Sequence, residues 1–208
     1  MEKIITSELL GKAYSYQSYK ELILNLLSEN KATGNSSSEN LITHAKLNLE
    51  NMELKEKTTF IGIELKYELN KLRRPMIFLI IGEAWCGDVA QNLPVIYLIS
   101  QLNKNIELKI LLRDENPEVM SQFLTNGARA IPVCIMLDRL TLNVIGKWGP
   151  RPAPAQSIMM EFKKNPEFSR DEVIKRISNW YNEDMSETIQ NEFLELLQII
   201  NQPIKPGV

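Results

Sequence analysis

The apolar positions of this chain change texture twice along its length. At the N-terminal end they recur at helical spacing. Leu22, Ile23, Leu26 and Leu27 follow Ser18 and Glu21, and Leu41, Ile42, Ala45, Leu49 and Met52 follow Ser36 and Glu39. Each Ser-x-x-Glu pair reads as a capping box, in which two side chains satisfy the first free backbone N–H groups of a helix. The second stripe steps at i, i+4, i+8 and i+11, with Lys46, Glu50 and Glu53 elsewhere around the helix. The serine-rich turn 34–38 separates the two helices. A third helix is expected over Ile63 to Leu72. Arg73-Arg74-Pro75 stops it, because proline cannot continue a helix and disfavours it in the residue before.

From Pro75 the pattern is different. Met76-Ile77-Phe78-Leu79-Ile80-Ile81 shows no polar alternation and reads as a central strand covered on both faces. A helix from Cys86 to Leu102, a strand Ile106 to Leu112 and a helix Pro117 to Leu124 follow. Strands Ile131 to Leu137 and Leu142 to Trp148 and a helix Pro154 to Lys164 complete the order β-α-β-α-β-β-α, an α/β class with a central mixed sheet. The first half of that order requires a right-handed crossover and parallel strands. The short link Asp138-Arg139-Leu140-Thr141 suggests an antiparallel hairpin.

A further capping box, Ser169 with Glu172, opens a helix carrying Val173, Ile174, Ile177, Trp180 and Tyr181 on one face. A final helix carries Ile189, Phe193, Leu196, Leu197 and Ile200 before Pro203. The expected organisation is a helical N-terminal extension over 1–74 packed on the core, a core over 75–165, and C-terminal helices over 166–208. The terminal stripes must be buried against something, either this core or a second copy in a homodimer.

Composition narrows the chemistry. The chain has 208 residues, 44% of them apolar and 24% charged, within the soluble globular range. Two cysteines and one histidine exclude a disulfide-built scaffold and a structural zinc site, so no metal is expected. Lys and Arg number 24 against 26 Asp and Glu, a balance that holds evenly along the chain and argues against nucleic-acid binding. The N-terminus lacks the apolar region of a signal peptide, and Met76–Ile81 is too short for a membrane span. The expectation is a soluble, cytoplasmic protein with no membrane partner.

Cys86 is the residue of most chemical interest. It falls where the central strand gives way to a helix, the place in an open α/β sheet where ligands collect. Free backbone N–H groups and the helix dipole there favour thiolate, the nucleophilic form. Burial opposes this, and so does the nearby Asp88 carboxylate. Cys134, in an apolar strand, reads as a small core hydrophobe, with a resolving thiol as the alternative.

At these residues the sequence resembles the thioredoxin superfamily. Glu83-Ala84-Trp85-Cys86-Gly87 resembles the start of a Trp-Cys-Gly-x-Cys redox site, and Gly127-Ala128-Arg129-Ala130-Ile131-Pro132 is similar to the segment around the family's cis-proline. Gly149 follows the last strand as the family's pattern expects. The WCGD variant also resembles a less studied thioredoxin-like subfamily with a helical N-terminal extension. The resemblance implies a thioredoxin-like fold, Cys86 as the catalytic thiol of a thiol-disulfide oxidoreductase, and substrate contacts from Trp85, Gly87, Asp88, Ile131 and Pro132. It implies no cofactor beyond a low-molecular-weight thiol as co-substrate, and a protein disulfide or small thiol as partner.

The chain departs from that pattern in two places. Val89 stands where the second cysteine belongs, so a mixed disulfide at Cys86 must be resolved by an external thiol. Ile80 stands where the family buries a proton-shuttling acid, with Glu83 the nearest acid to take part of that role. Arg129 and Arg151 are candidate cations beside the thiol, and Trp148 with Pro150, Pro152 and Pro154 is a candidate groove rim. Against the monothiol oxidoreductase stands a second reading, a redox-inactive thioredoxin-fold module that binds a protein partner.

Overall fold

The N-terminal third is helical. A computed structural model describes residues 4–36, 38–165, 167 and 169–202. Helix α1 (Ser7–Lys12) is too short to show an apolar period; Thr6 caps it by accepting the Leu9 N–H at 3.2 Å. Helix α2 (Tyr16–Ser28) begins earlier than Ser18 and Glu21 suggest. Ser15 is the N-cap and Ser18 sits at the third helical position, where each serine hydroxyl takes the other's backbone N–H. In α3 (Glu39–Thr58) the expected Ser36–Glu39 box does not form. Ser38 is the N-cap, without a side-chain bond, and Glu39 is the first helical residue. Helix α4 (Ile63–Lys71) ends before Pro75 as expected.

Strand β1 (Met76–Gly82) is buried along its whole length. Helix α5 (Gly87–Gln101) crosses to β2 (Ile106–Leu112), and α6 (Pro117–Ser121) leads on to β3 (Val133–Asp138) and β4 (Val144–Trp148). The sheet order is β2-β1-β3-β4, with β1 and β2 parallel and β1–β3 and β3–β4 antiparallel. Three boundaries are shorter than the apolar runs suggest. Helix α6 stops at Ser121 because the chain tightens into a turn at Asn126 and Gly127, both at positive φ, closed by Thr125 and Ala128. Strand β3 starts at Val133 because Pro132 has no N–H to give the ladder. Strand β4 starts at Val144 because Leu142 is left-handed, with φ 55°.

Asp138 holds that hairpin. Its Oδ1 accepts the backbone N–H groups of Leu140 and Thr141, and its Oδ2 takes Arg74 Nε at 2.5 Å, tying the turn to the end of the N-terminal region. Arg74 and Thr141 thereby hold the Asp138 carboxyl well below the usual carboxylate range.

Helices α7 (Ala153–Lys164), α8 (Arg170–Asp184) and α9 (Glu187–Ile200) complete the chain. The Ser169–Glu172 box of α8 is formed in both directions. The terminal stripes part company. In α9, Ile189, Phe193 and Leu197 are buried in the main core, and the Phe193 ring meets Phe78 at 5.8 Å and Trp148 at 5.6 Å. In α8, Val173, Ile177 and Tyr181 pack with Ala155 of α7 in a separate small cluster, and Ile174 faces solvent. The N-terminal helices feed the main core, through Leu10, Tyr19, Ile23, Ala45, Leu49, Met52 and Leu69. Among the described residues no helix is long and apolar enough to cross a membrane.

Phe193 anchors α9 in the sheet core, with no exposure at all. Replacing it with alanine is expected to cost about 3–5 kcal/mol of stability. Denaturant unfolding at an unchanged slope checks this, and a loss below about 1 kcal/mol would mean that α9 is not part of the core.

Candidate functional site

The main chain runs from fully buried β1 through Glu83-Ala84-Trp85 into α5, with Cys86 at the N-cap (φ −85°, ψ 116°). The Cys86 carbonyl accepts the Ala90 N–H, and its own N–H bonds to the Glu83 carbonyl, which fixes the turn. The thiol is half-buried and donates to the Ile131 carbonyl at 3.5 Å. The Ile131–Pro132 peptide is cis, and both residues are buried. Gly149 allows this approach. Its φ is +116°, and a Cβ there would lie 2.3 Å from the Pro132 carbonyl oxygen, so a larger residue cannot fit.

The electrostatics at the sulfur go against the expectation that the helix start favours thiolate. Burial first, and then the Asp88 carboxylate, push the Cys86 thiol up to about 12. The backbone N–H groups of Val89 and Asp88 and the Arg151 guanidinium pull the other way without prevailing. Asp88 itself is turned inward rather than toward a substrate. It pairs with Arg151 at 2.6 Å and accepts the Tyr181 hydroxyl of α8 at 3.0 Å. Asn92 closes the network, donating to the Tyr181 oxygen at 2.8 Å. Burial raises the Asp88 carboxyl even so, with Arg151 and Tyr181 opposing.

Glu83 is fully buried behind Trp85. Its Oε1 accepts the Asp114 N–H at 2.9 Å, while Oε2 has no partner among the described residues. Burial raises its carboxyl, with the Thr33 hydroxyl and the Asp114 N–H opposing. At the two departures from the redox pattern, Ile80 is wholly buried and Val89 is packed against Gly82. Cys134 pairs with Ile80 and Trp148 inside the sheet, is wholly buried, and has its thiol pushed up by burial; it and Cys86 are both free. Gly87, the first residue of α5, is exposed.

The groove rim is corrected. Trp148 is buried against Phe193 and donates its indole N–H to Glu192 of α9 at 2.6 Å, so it supports the core instead of lining a groove. Arg129 is exposed and reaches the Arg113 carbonyl at 3.3 Å and Asp114 at 3.5 Å. Among the described residues no group of three or more His, Cys, Asp or Glu side chains is placed to hold a metal ion.

Several residues that shape the site lie outside the motif. Thr33 accepts the Ala84 N–H with its hydroxyl at 2.8 Å and the Trp85 indole N–H with its carbonyl at 3.1 Å. Asn48 of α3 donates to the Ala84 carbonyl at 2.8 Å. Arg113 lies over the Trp85 ring at 4.8 Å. Two signals for them were present in the sequence: Asn48 is a polar residue beside an apolar stripe, and Thr33 precedes a glycine. Gly34 takes φ +88°, and a Cβ there would press on Asp114 at 2.7 Å.

Thr33→Val removes a buried hydroxyl while keeping its shape and leaves the Ala84 N–H unpaired. The expected loss is about 1–3 kcal/mol, with Thr33→Ser restoring most of it. Thermal unfolding of the pair checks this, and equal stability of the two variants would contradict it.

Comparison with known proteins fits this geometry. A family model described as Thioredoxin matches residues 34–165, beginning inside the helical region well before Pro75. No curated protein matches the chain. A Pseudomonas aeruginosa protein of unknown function is similar in structure, with 20% identity, a TM-score of 0.61, and coverage of 96% of this chain and 98% of that one. An HIV epitope-scaffold is similar at 20% identity and a TM-score of 0.59, covering 92% of this chain and 96% of its own. Identities of this size speak to the fold alone. With the family matched over more than half its length, the chain belongs to the thioredoxin family.

Proposed function

We propose that the protein is a single-cysteine thiol–disulfide exchanger whose reactive thiol is Cys86. In the reaction, the Cys86 thiolate attacks one sulfur of a disulfide and forms a mixed disulfide. The other sulfur leaves as a thiolate and takes up the proton that Cys86 gave. A second, external thiol then attacks the mixed disulfide and frees Cys86, so two sulfurs are exchanged with no net loss of electrons. The observation that carries this reading is the seat of the sulfur. It lies at the start of α5, with the Val89 and Asp88 N–H groups aimed at it and the Ile131 carbonyl alongside. That is a ready site for developing negative charge beside a backbone edge that a substrate strand can pair with.

The resting thiol is protonated, because burial and Asp88 outweigh the helix start. Exchange is therefore slow at neutral pH and gains when a substrate neutralises or displaces Asp88. A second reading draws on the same observation. With a protonated thiol and Val89 packed where a resolving cysteine belongs, the groove beside Pro132 serves as a redox-inactive surface for a protein partner.

The rate of Cys86 alkylation against pH separates the two. It is expected to rise about tenfold per pH unit from pH 7 and to level off only near 12, since the thiolate alone reacts. Asp88→Asn removes the opposing charge and leaves Arg151 without its partner, so the thiol falls. The rate at pH 8 is expected to rise about tenfold, one pKa unit. A plateau below pH 9 in the unaltered protein contradicts the protonated resting state. Failure of both proteins to form a mixed disulfide with any disulfide offered leaves the binding reading.

A further inference from the structure

Two arginines, Arg113 and Arg129, lie together near Trp85, the residue before Cys86. The Trp85 ring is fixed by its indole bond to Thr33, and the Arg113 guanidinium lies over it at 4.8 Å. Arg113 Nε is taken by Asp114 Oδ1 at 2.8 Å, and no hydrogen bond within the protein uses its two terminal nitrogens among the described residues. Arg129 enters from the segment that leads to the Ile131 carbonyl, itself in contact with the Cys86 sulfur. Its side chain is about half exposed (47%), and among the described residues only its Nη2 is engaged, by Arg113 O and Asp114 Oδ1. Arg129 is thus joined by two residues of main chain to Ile131, which touches the sulfur, and Arg113 by its ring contact to Trp85, the residue before Cys86.

The charges on this rim do not cancel. Two guanidinium groups face one ionised carboxylate, Asp114, which Arg113, Arg129 and the Asn35 N–H hold below its usual range against the effect of burial. Glu83 also feels Arg113, but it is wholly buried and that burial raises its carboxyl, so it offers the rim less charge than an exposed carboxylate would; Glu115 acts on Tyr14 at the β2 edge. In the first turn of α5, Asp88 is paired with Arg151 at 2.6 Å. A guanidinium held over an aromatic ring can still offer its terminal N–H groups, which suit a carboxylate taken by two parallel bonds.

We propose that the Arg113–Trp85–Arg129 rim selects disulfides that carry a carboxylate near the reacting sulfur, with Arg113 and Arg129 as the specificity-determining residues. This rests on the exchange chemistry at Cys86 and names its substrate class. The carboxylate belongs either to a small acidic thiol or to an acidic protein segment.

The test measures mixed-disulfide formation at Cys86 by mass spectrometry with two small disulfides of matched length, 3,3′-dithiodipropionate with two carboxylates and cystamine with two ammonium groups, each rate taken relative to the same reagent's rate with free 2-mercaptoethanol because the two leaving thiols differ in acidity. The anionic reagent is expected to react about tenfold faster at low salt, with the advantage shrinking within a Debye length of roughly 8–10 Å at physiological salt. Arg113→Gln with Arg129→Gln is expected to level the two rates, and the double change to glutamate to reverse them. Lys104→Glu, a charge reversal at the opposite end of β2, leaves the ratio unchanged. Disulfide-bearing peptides flanked by glutamate or by lysine show whether the discrimination extends to protein segments. Equal rates in the unaltered protein, or a ratio indifferent to both arginines, overturn the proposal. Should Cys86 react with neither reagent, the exchange reading fails while the rim is still tested. The non-reactive thioether 3,3′-thiodipropionate must then shift the Arg113 and Arg129 Nε–H resonances of Cys86→Ser, and bis(2-aminoethyl) sulfide must not. No shift with the dicarboxylate overturns the rim as well.

Discussion

The site depends on one close contact, the backbone of Gly149 against the carbonyl of Pro132. No side chain fits between them, since a Cβ would stand 2.3 Å from that oxygen. The contact seats the 131–132 segment, which brings the Ile131 carbonyl to the Cys86 sulfur. The residue after the contact leads to Arg151, whose guanidinium reaches Asp88 on the first turn of α5. A larger residue at 149 would push the loop away from α5 and take both the carbonyl and the guanidinium with it.

Because the loop closes on the helix start, the thiol is half-buried, and that burial decides its chemistry. A helix N-terminus acts on a thiolate through a few aligned N–H groups, an effect of modest size that weakens with distance. Desolvation acts on the whole charge and is stronger where water is kept out. Asp88 adds a second opposing charge, and Tyr181 and Arg151 hold that carboxylate in place. The helix α8 that carries Tyr181 packs mainly on α7 and meets the body of the protein here through polar groups. The electrostatic state of Cys86 thus depends on how α7 and α8 sit.

The sequence made much of the fold legible, for physical reasons. Buried strands with no polar alternation, such as Met76–Ile81, have one reading, and β2 kept its expected ends because both are set by chain reversals. The boxes at Ser18 and Ser36 were misread because a capping motif needs only the spacing, while the cap that forms depends on which serine the preceding chain delivers. Ser15 and Ser38 won. At the site, Cys86 and Pro132 were visible as a motif. The inward turn of Asp88 was not: Arg151 after Gly149 stood out as a cation beside the thiol, but its pairing with Asp88 did not, and nothing local marks Tyr181, which lies far along the chain. Trp148 looked like a rim residue because an aromatic beside a glycine and several prolines suggests an exposed loop, yet a position pairing with buried Cys134 at the centre of the sheet faces the core.

The N-terminal region is part of the site rather than an attachment to it. The segment Glu83-Ala84-Trp85 lies between a buried strand and a helix, and its polar groups must find partners where water is scarce. The sheet cannot supply them, because β1 ends at Gly82. Thr33 and Asn48 do, by taking the Ala84 N–H and carbonyl and the Trp85 indole. Without them the indole would be free to swing, and the platform under Arg113 would go with it. A core cut at Pro75 would keep every strand of the fold and lose the groups that hold the residue before Cys86. The family match that begins at residue 34, inside this helical region, agrees with that division of labour.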